Sequence, residues 1–119
     1  MDDELYTEYI LHCARNPRHK RKMETASVSA REINPSCGDD VTVFVQHENG
    51  VVQDISFDGH GCAISTAAAS LLCEAVQGRT LIEAEQFSQM QAIELLSIPI
   101  SHNRIRCATL AFRALKKIL

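Results

Sequence analysis

Three cysteines and one aspartate stand where chemistry is easiest to arrange. Cys37 and Asp39 share the stretch "INPSCGDDVTV", Cys62 closes "DGHGC", and Cys107 lies in "RIRCATLAF". The pattern puts Cys37 in the turn before a strand, Cys62 in the first turn of a helix and Cys107 near the start of another. A helix N-terminus presents free N–H groups and a positive dipole end, which favour thiolate over thiol, and thiolate is the form that binds metal or attacks sulfur. Gly38 between Cys37 and Asp39 permits a backbone conformation that lets both side chains turn toward one point. The cysteine spacings of 25 and 45 residues fit no zinc-finger pattern, so a shared site has to be assembled by tertiary structure. Three thiolates and a carboxylate suit a tetrahedral Zn²⁺, or an iron-sulfur cluster held less firmly than by four cysteines. Taken singly, each residue has a plainer use: cysteine as a small buried hydrophobe, aspartate in a turn.

The other cysteines read as packing. Cys73 follows Cys62 by 11 residues, about three helical turns or roughly 16 Å along an axis, too far to share an ion. Cys13 belongs to the apolar face of a first helix. Among the histidines, His60 and His102 lie nearest the candidate ligands, and His102 is the one that could visit the site; His12, His19 and His47 read as surface residues.

The elements that must position these groups follow from periodicity. Leu5, Tyr9, Ile10 and Cys13 recur near helical spacing over residues 3–14, and Pro17 ends the pattern. A strand is predicted over residues 27–33. In "VTVFVQHENGVVQDISF" two alternating runs flank Asn49-Gly50, the dipeptide suited to a type I′ hairpin turn. "DGHGC" reads as a turn. An Ala- and Leu-rich helix is predicted from Cys62 to Gln77, stopped by Gly78. Thr80 with Glu83 forms a capping box for one helix over "TLIEAEQFSQM". Beyond Pro99, "NRIRCATLAFRALKKIL" is a last helix whose lysines suit its C-terminal end. The order predicts an α+β fold, a three-stranded antiparallel sheet packed against several helices.

Composition bounds the function. With 119 residues the chain is one domain, 1–119. A net charge of -3 argues against non-specific nucleic-acid binding, although "RNPRHKRKM" concentrates basic residues as a solvated loop or a dock for an acidic partner. No apolar run is long enough for a membrane span, and the acidic start "MDDELYTEYI" lacks the pattern of a secretory signal, so a cytoplasmic protein is expected. Five cysteines in such a chain point to metal or thiol chemistry before disulfides.

The motifs "NPSCGDDV", "FDGHGCAISTAAASLL" and "RIRCATLAFRAL", in that order, resemble the U-type iron-sulfur cluster assembly family, which comprises IscU, SufU and the N-terminal domain of NifU. The resemblance covers nearly the whole chain. It implies an α+β fold with a three-stranded antiparallel sheet, and places the family's ligands on Cys37, Asp39, Cys62 and Cys107. It also implies partners: a pyridoxal-phosphate cysteine desulfurase that supplies sulfur, and apo iron-sulfur proteins that receive the product.

Two mechanisms follow from the resemblance. IscU-like members are scaffolds for a transient [2Fe-2S] cluster; SufU-like members hold Zn²⁺ and relay persulfide sulfur. IscU-like proteins place His before the last cysteine, where this chain has Arg106, as SufU-like proteins do. The short stretch from Cys62 to Cys107 is IscU-like, because SufU-like proteins carry an insertion there. "IPISHNRI" stands in place of the Leu-Pro-Pro-Val-Lys element that IscU-like scaffolds offer a chaperone. Cys107, beside Arg104 and Arg106, is the candidate persulfide acceptor, since adjacent cations lower a thiol pKa and attract an anionic persulfide; Cys62 is the second candidate. A structural zinc domain that only binds a partner is the reading from another class.

Overall fold

A computed structural model of the chain describes residues 3–36 and 38–119. It runs α1 (Asp3–Arg15), β1 (Val28–Asn34), β2 (Asp39–Glu48), β3 (Val51–His60), α2 (Ala63–Val76), α3 (Leu81–Gln86), α4 (Gln89–Glu94), a 3₁₀ turn (His102–Arg104), α5 (Ile105–Ala108) and α6 (Leu110–Ile118). The strands form one antiparallel sheet in the order β1-β2-β3. The predicted α+β architecture is the one observed.

Alternation along the strands decides which face is covered. Val41, Val43 and Val45 of β2 sit beside Phe57 and Ile55 of β3, and all five are buried. α2 and α6 close this face with Leu72, Val76, Leu110 and Leu115. A second cluster joins Ile10 of α1, Ile64, Ala67 and Ala68 of α2, Leu96, and Cys107 and Ala108 of α5. α2 therefore lies between two cores, which explains its run of alanines: small side chains let neighbours approach on both sides. Cys73 belongs to the first cluster, as expected, and burial pushes its thiol far above the ordinary range. In the α1 stripe Ile10 is buried and Cys13 is half-buried; the expectation for the side chains of Leu5 and Tyr9 lies outside the described residues.

Turn and cap chemistry holds largely as expected. Asn49 and Gly50 adopt φ of 55° and 76°, the type I′ signature. Thr80 Oγ1 accepts from the Glu83 N–H and Glu83 Oε1 accepts from the Thr80 N–H, both at 3.0 Å. These bonds, with the backbone one foremost, hold the Glu83 carboxyl below its ordinary range. The box therefore contributes above the unfolded pKa and is lost as pH falls through the folded one.

Three expectations need correction. "TLIEAEQFSQM" is two helices, because Phe87 turns extended and Ser88 with Gln91 forms a second capping box that restarts the chain as α4. "DGHGC" is not a simple turn: β3 continues through Gly59, opposite Val41, to His60, opposite Asp40. The last helix is interrupted at Thr109, whose hydroxyl donates to the Ile105 carbonyl at 2.8 Å and whose backbone leaves helical geometry.

The basic segment before β1 is partly pinned. His19 to Arg21 run along the edge of β3, where Arg21 donates to the Asp54 carboxylate at 2.7 Å and Arg18 pairs with Glu74 at 3.2 Å. Ser56, nearby on β3, is fully buried, and among the described residues its hydroxyl has no hydrogen-bond partner. An unpaired buried hydroxyl is a standing cost, so Ser56→Ala is expected to leave stability unchanged or raise it by up to about 1 kcal/mol. Urea denaturation checks this; a loss of stability would show the hydroxyl to be partnered.

Candidate metal centre

The sheet and α2 meet at one end of the molecule, and there the candidate residues converge. Asp39 opens β2 opposite Asn34. Cys62 caps the N-terminus of α2 immediately beyond the end of β3. Cys107 sits in α5, rooted in the second core cluster and 7% exposed. A carboxylate oxygen of Asp39 and the Sγ atoms of Cys62 and Cys107 all lie within 4.8 Å of one another. Tetrahedral ligands about 2.3 Å from one ion stand roughly 3.8 Å apart, so a contraction of about 1 Å closes the three on a cation. Soft thiolates with one carboxylate form a donor set that Zn²⁺ and iron both accept. Cys37 lies outside the described residues; beside it Gly38 has φ of +77° and donates its N–H to the Asn34 carbonyl at 2.9 Å, so the turn uses the freedom that only glycine has cheaply.

A shell of hydrogen bonds orients the three. Asp39, 9% exposed, accepts at Oδ2 from the Cys62 N–H at 3.2 Å and from the Ser65 hydroxyl at 3.0 Å. Cys62 Sγ in turn accepts from the Ser65 N–H at 3.5 Å, the usual contact of a helix cap. Asn34, buried, directs Nδ2 toward Cys107 Sγ at 4.0 Å while its Oδ1 accepts from the Ser36 N–H at 3.2 Å. Sequence reasoning missed both residues. The available signal for Ser65 was its place three residues after a cap; for Asn34, its place just before Pro35, three residues ahead of Cys37 in sequence.

Strand alternation separates the two neighbouring aspartates. Asp39 points to the centre and Asp40 away from it, where Asp40 meets Arg31 at 3.2 Å and the His60 N–H at 3.2 Å. Desolvation pushes the Asp40 carboxyl up, but those hydrogen bonds and the Arg31 charge together outweigh it and hold the pKa below the ordinary value. Among the described residues no histidine belongs to the converging group. His102 is exposed on the 3₁₀ turn, and the His60 side chain is 97% exposed, 3.5 Å from Asp40. His12 is exposed, while His19 and His47 are half-buried and His19 Nδ1 is bonded to the Ile55 carbonyl, so those two are less open than expected. Arg104 and Arg106, close to Cys107 in sequence, are exposed. Among the described residues no helix is long and apolar enough to cross a membrane.

Comparison with known proteins adds to this geometry. An iron-sulfur cluster assembly scaffold protein IscU from Thermotoga maritima is 36% identical, over 97% of this chain and 92% of its own length. The zinc-dependent sulfurtransferase SufU of Bacillus subtilis is 31% identical, over 97% of this chain and 89% of its own. A crystal structure described as an iron-sulfur cluster assembly scaffold protein for the SUF system, from Fervidobacterium Islandicum, superposes with a TM-score of 0.82 over 98% of both chains, at 24% identity. That likeness bears on the fold alone. Residues 5–119 match the NifU-like N terminal domain family, and with two relatives above 30% identity along almost the full length, the chain belongs to that family.

Proposed function

We propose that the protein is a scaffold for iron-sulfur cluster biogenesis, a single-domain worker in which Cys37, Asp39, Cys62 and Cys107 hold a metal ion or a nascent [2Fe-2S] cluster. The observation that carries this reading is the convergence of Asp39, Cys62 and Cys107 within 4.8 Å from three separate elements. A bound cation would keep the thiols deprotonated. Its likeness to proteins named IscU scaffolds supports the same reading, as does a carboxylate in the donor set, which suits a site that must release its cargo. The partners are a pyridoxal-phosphate cysteine desulfurase upstream and apo iron-sulfur proteins downstream, and the place of work is the cytoplasm.

Sulfur enters by exchange between thiols. The Cys107 thiolate attacks the outer sulfur of the desulfurase persulfide; that S–S bond breaks, the desulfurase cysteine leaves as thiolate, and a new S–S bond forms on Cys107. Nothing is oxidised or reduced overall. Exposed Arg104 and Arg106 attract the anionic donor. A second acceptor, Cys62, is favoured by one observation: it is half-exposed where Cys107 is buried. The second reading of the whole protein, a zinc-dependent sulfurtransferase, is favoured by Arg106 standing directly before the last cysteine.

Anaerobic reconstitution with a cysteine desulfurase, cysteine, ferrous iron and a thiol reductant, which supplies the electrons that turn persulfide sulfur into sulfide, tests the choice. A stoichiometric visible chromophore that moves to an apo-ferredoxin is the expected result. If no cluster forms and zinc-loaded protein instead accelerates desulfurase turnover, the protein is a sulfur acceptor and not a scaffold.

A further inference from the structure

Ser65 has one hydroxyl proton and three acceptors around it. Asp39 Oδ2 lies at 3.0 Å, the Cys62 carbonyl at 3.2 Å and Cys62 Sγ at 3.4 Å. A carboxylate is the strongest of these acceptors and here also the nearest, so the proton goes to Asp39. Ser65 is 7% exposed, which leaves little room for water to take over the bond. The backbone makes space for it: a Cβ on Gly61 would lie 2.4 Å from Ser65 Oγ. The Ser65 N–H meanwhile contacts Cys62 Sγ. One residue therefore touches two of the three converging side chains without being a metal ligand itself.

We propose that Ser65 is a positioning residue whose hydroxyl latches the Asp39 carboxylate to the start of α2, and so sets how strongly the centre holds a cation. The inference rests on the reading of Asp39 and Cys62 as ligands. A carboxylate held by a hydroxyl as well as by the Cys62 N–H meets an arriving ion more nearly oriented; with the hydroxyl gone, more of its rotamer freedom is frozen at the moment of binding. Loss of such an outer contact ordinarily lowers metal affinity by about 10–100-fold.

The test compares wild type, Ser65→Ala and Ser65→Thr, each titrated with Zn²⁺ against a chromophoric chelator and with Co²⁺ by its visible absorption. Unfolding temperatures of the metal-free proteins are measured alongside. Ser65→Ala keeps the backbone N–H to Cys62 and is expected to bind zinc about 10–100-fold more weakly, with weakened tetrahedral Co²⁺ bands and a metal-free unfolding temperature close to wild type. Ser65→Thr, which restores a hydroxyl, is expected to recover most of the affinity. Equal affinity in wild type and Ser65→Ala overturns the latch while leaving the ligand reading intact. Equal losses in Ala and Thr variants, tracking a drop in unfolding temperature, overturn it in favour of general packing. Wild type that binds neither ion removes the ligand reading itself.

Discussion

Cys62→Ser and Cys107→Ser are each expected to lower zinc affinity by about 100–1000-fold, and only the second is expected to abolish sulfur acceptance. The first expectation follows from the size of a zinc site. Structural zinc contributes about 10–16 kcal/mol at neutral pH, so an even share among four ligands is roughly 3–4 kcal/mol, and each 1.4 kcal/mol is about tenfold. A serine hydroxyl cannot replace a thiolate because it does not ionise at this pH. The fold is expected to survive Cys62→Ser, since serine is itself a preferred helix cap and can accept the Ser65 N–H that Cys62 Sγ accepts now. Metal-free unfolding of that variant is therefore expected within about 1 kcal/mol of wild type. The second expectation separates the acceptor from a bystander ligand. After incubation with desulfurase and cysteine, intact mass is expected to gain one sulfur on wild type and on Cys62→Ser, but not on Cys107→Ser. If the gain disappears with Cys62→Ser instead, the half-exposed cysteine is the acceptor. If both variants still accept sulfur and merely unfold at lower temperature, the centre is a structural zinc site.

The sequence carried more of the fold than of the site's inner wiring, for a physical reason in each case. Alternation in Val41, Val43 and Val45 and the Asn49-Gly50 turn are local signals, and the hairpin they predict is the one that forms. The α3/α4 break was less legible because "TLIEAEQFSQM" has continuous helix-forming composition. What divides it is Phe87, drawn against the core, and a Ser88–Gln91 capping box hidden in the same letters. The run "DGHGC" looked like a turn because glycine is the usual mark of one; here Gly59 lets β3 pass Asp40 at a positive φ where a Cβ would strike the backbone of β2. At the centre, donor type, position at the junctions of elements and the family resemblance together singled out Cys37, Asp39, Cys62 and Cys107, since thiols and carboxylates are the donors a soft cation needs. Ser65 carries no such mark. Its role depends on β2 and α2 meeting, a tertiary fact that one serine in an alanine-rich helix does not announce.

Gly59 supplies the second large effect, because it joins the stability of the sheet to the spacing of the centre. Its φ is +139°, and a Cβ built there would lie 2.3 Å from the Asp40 carbonyl oxygen and 3.0 Å from Val41 Cα. Both obstacles are backbone, so no side chain can swing aside. Gly59→Ala must either change that φ or push the end of β3 off β2. Strain in a glycine-only region costs about 1–3 kcal/mol and overpacking a similar amount, which together give an expected loss of roughly 2–5 kcal/mol in unfolding free energy. The shift falls between Asp40 and the chain leading to Cys62, so it separates Asp39 from Cys62, and zinc affinity is expected to fall with stability. Gly50→Ala is the control. It lies in the turn at the other end of the hairpin, at φ +76°, and a Cβ there meets nothing within 4 Å. The expected cost is about 1 kcal/mol of turn strain with zinc affinity unchanged. If both variants lower stability alike and leave zinc affinity alone, the approach of β3 to Asp40 does not set the geometry of the centre. If Gly59→Ala alone loses the ion, the centre depends on a contact between two backbones that only glycine allows.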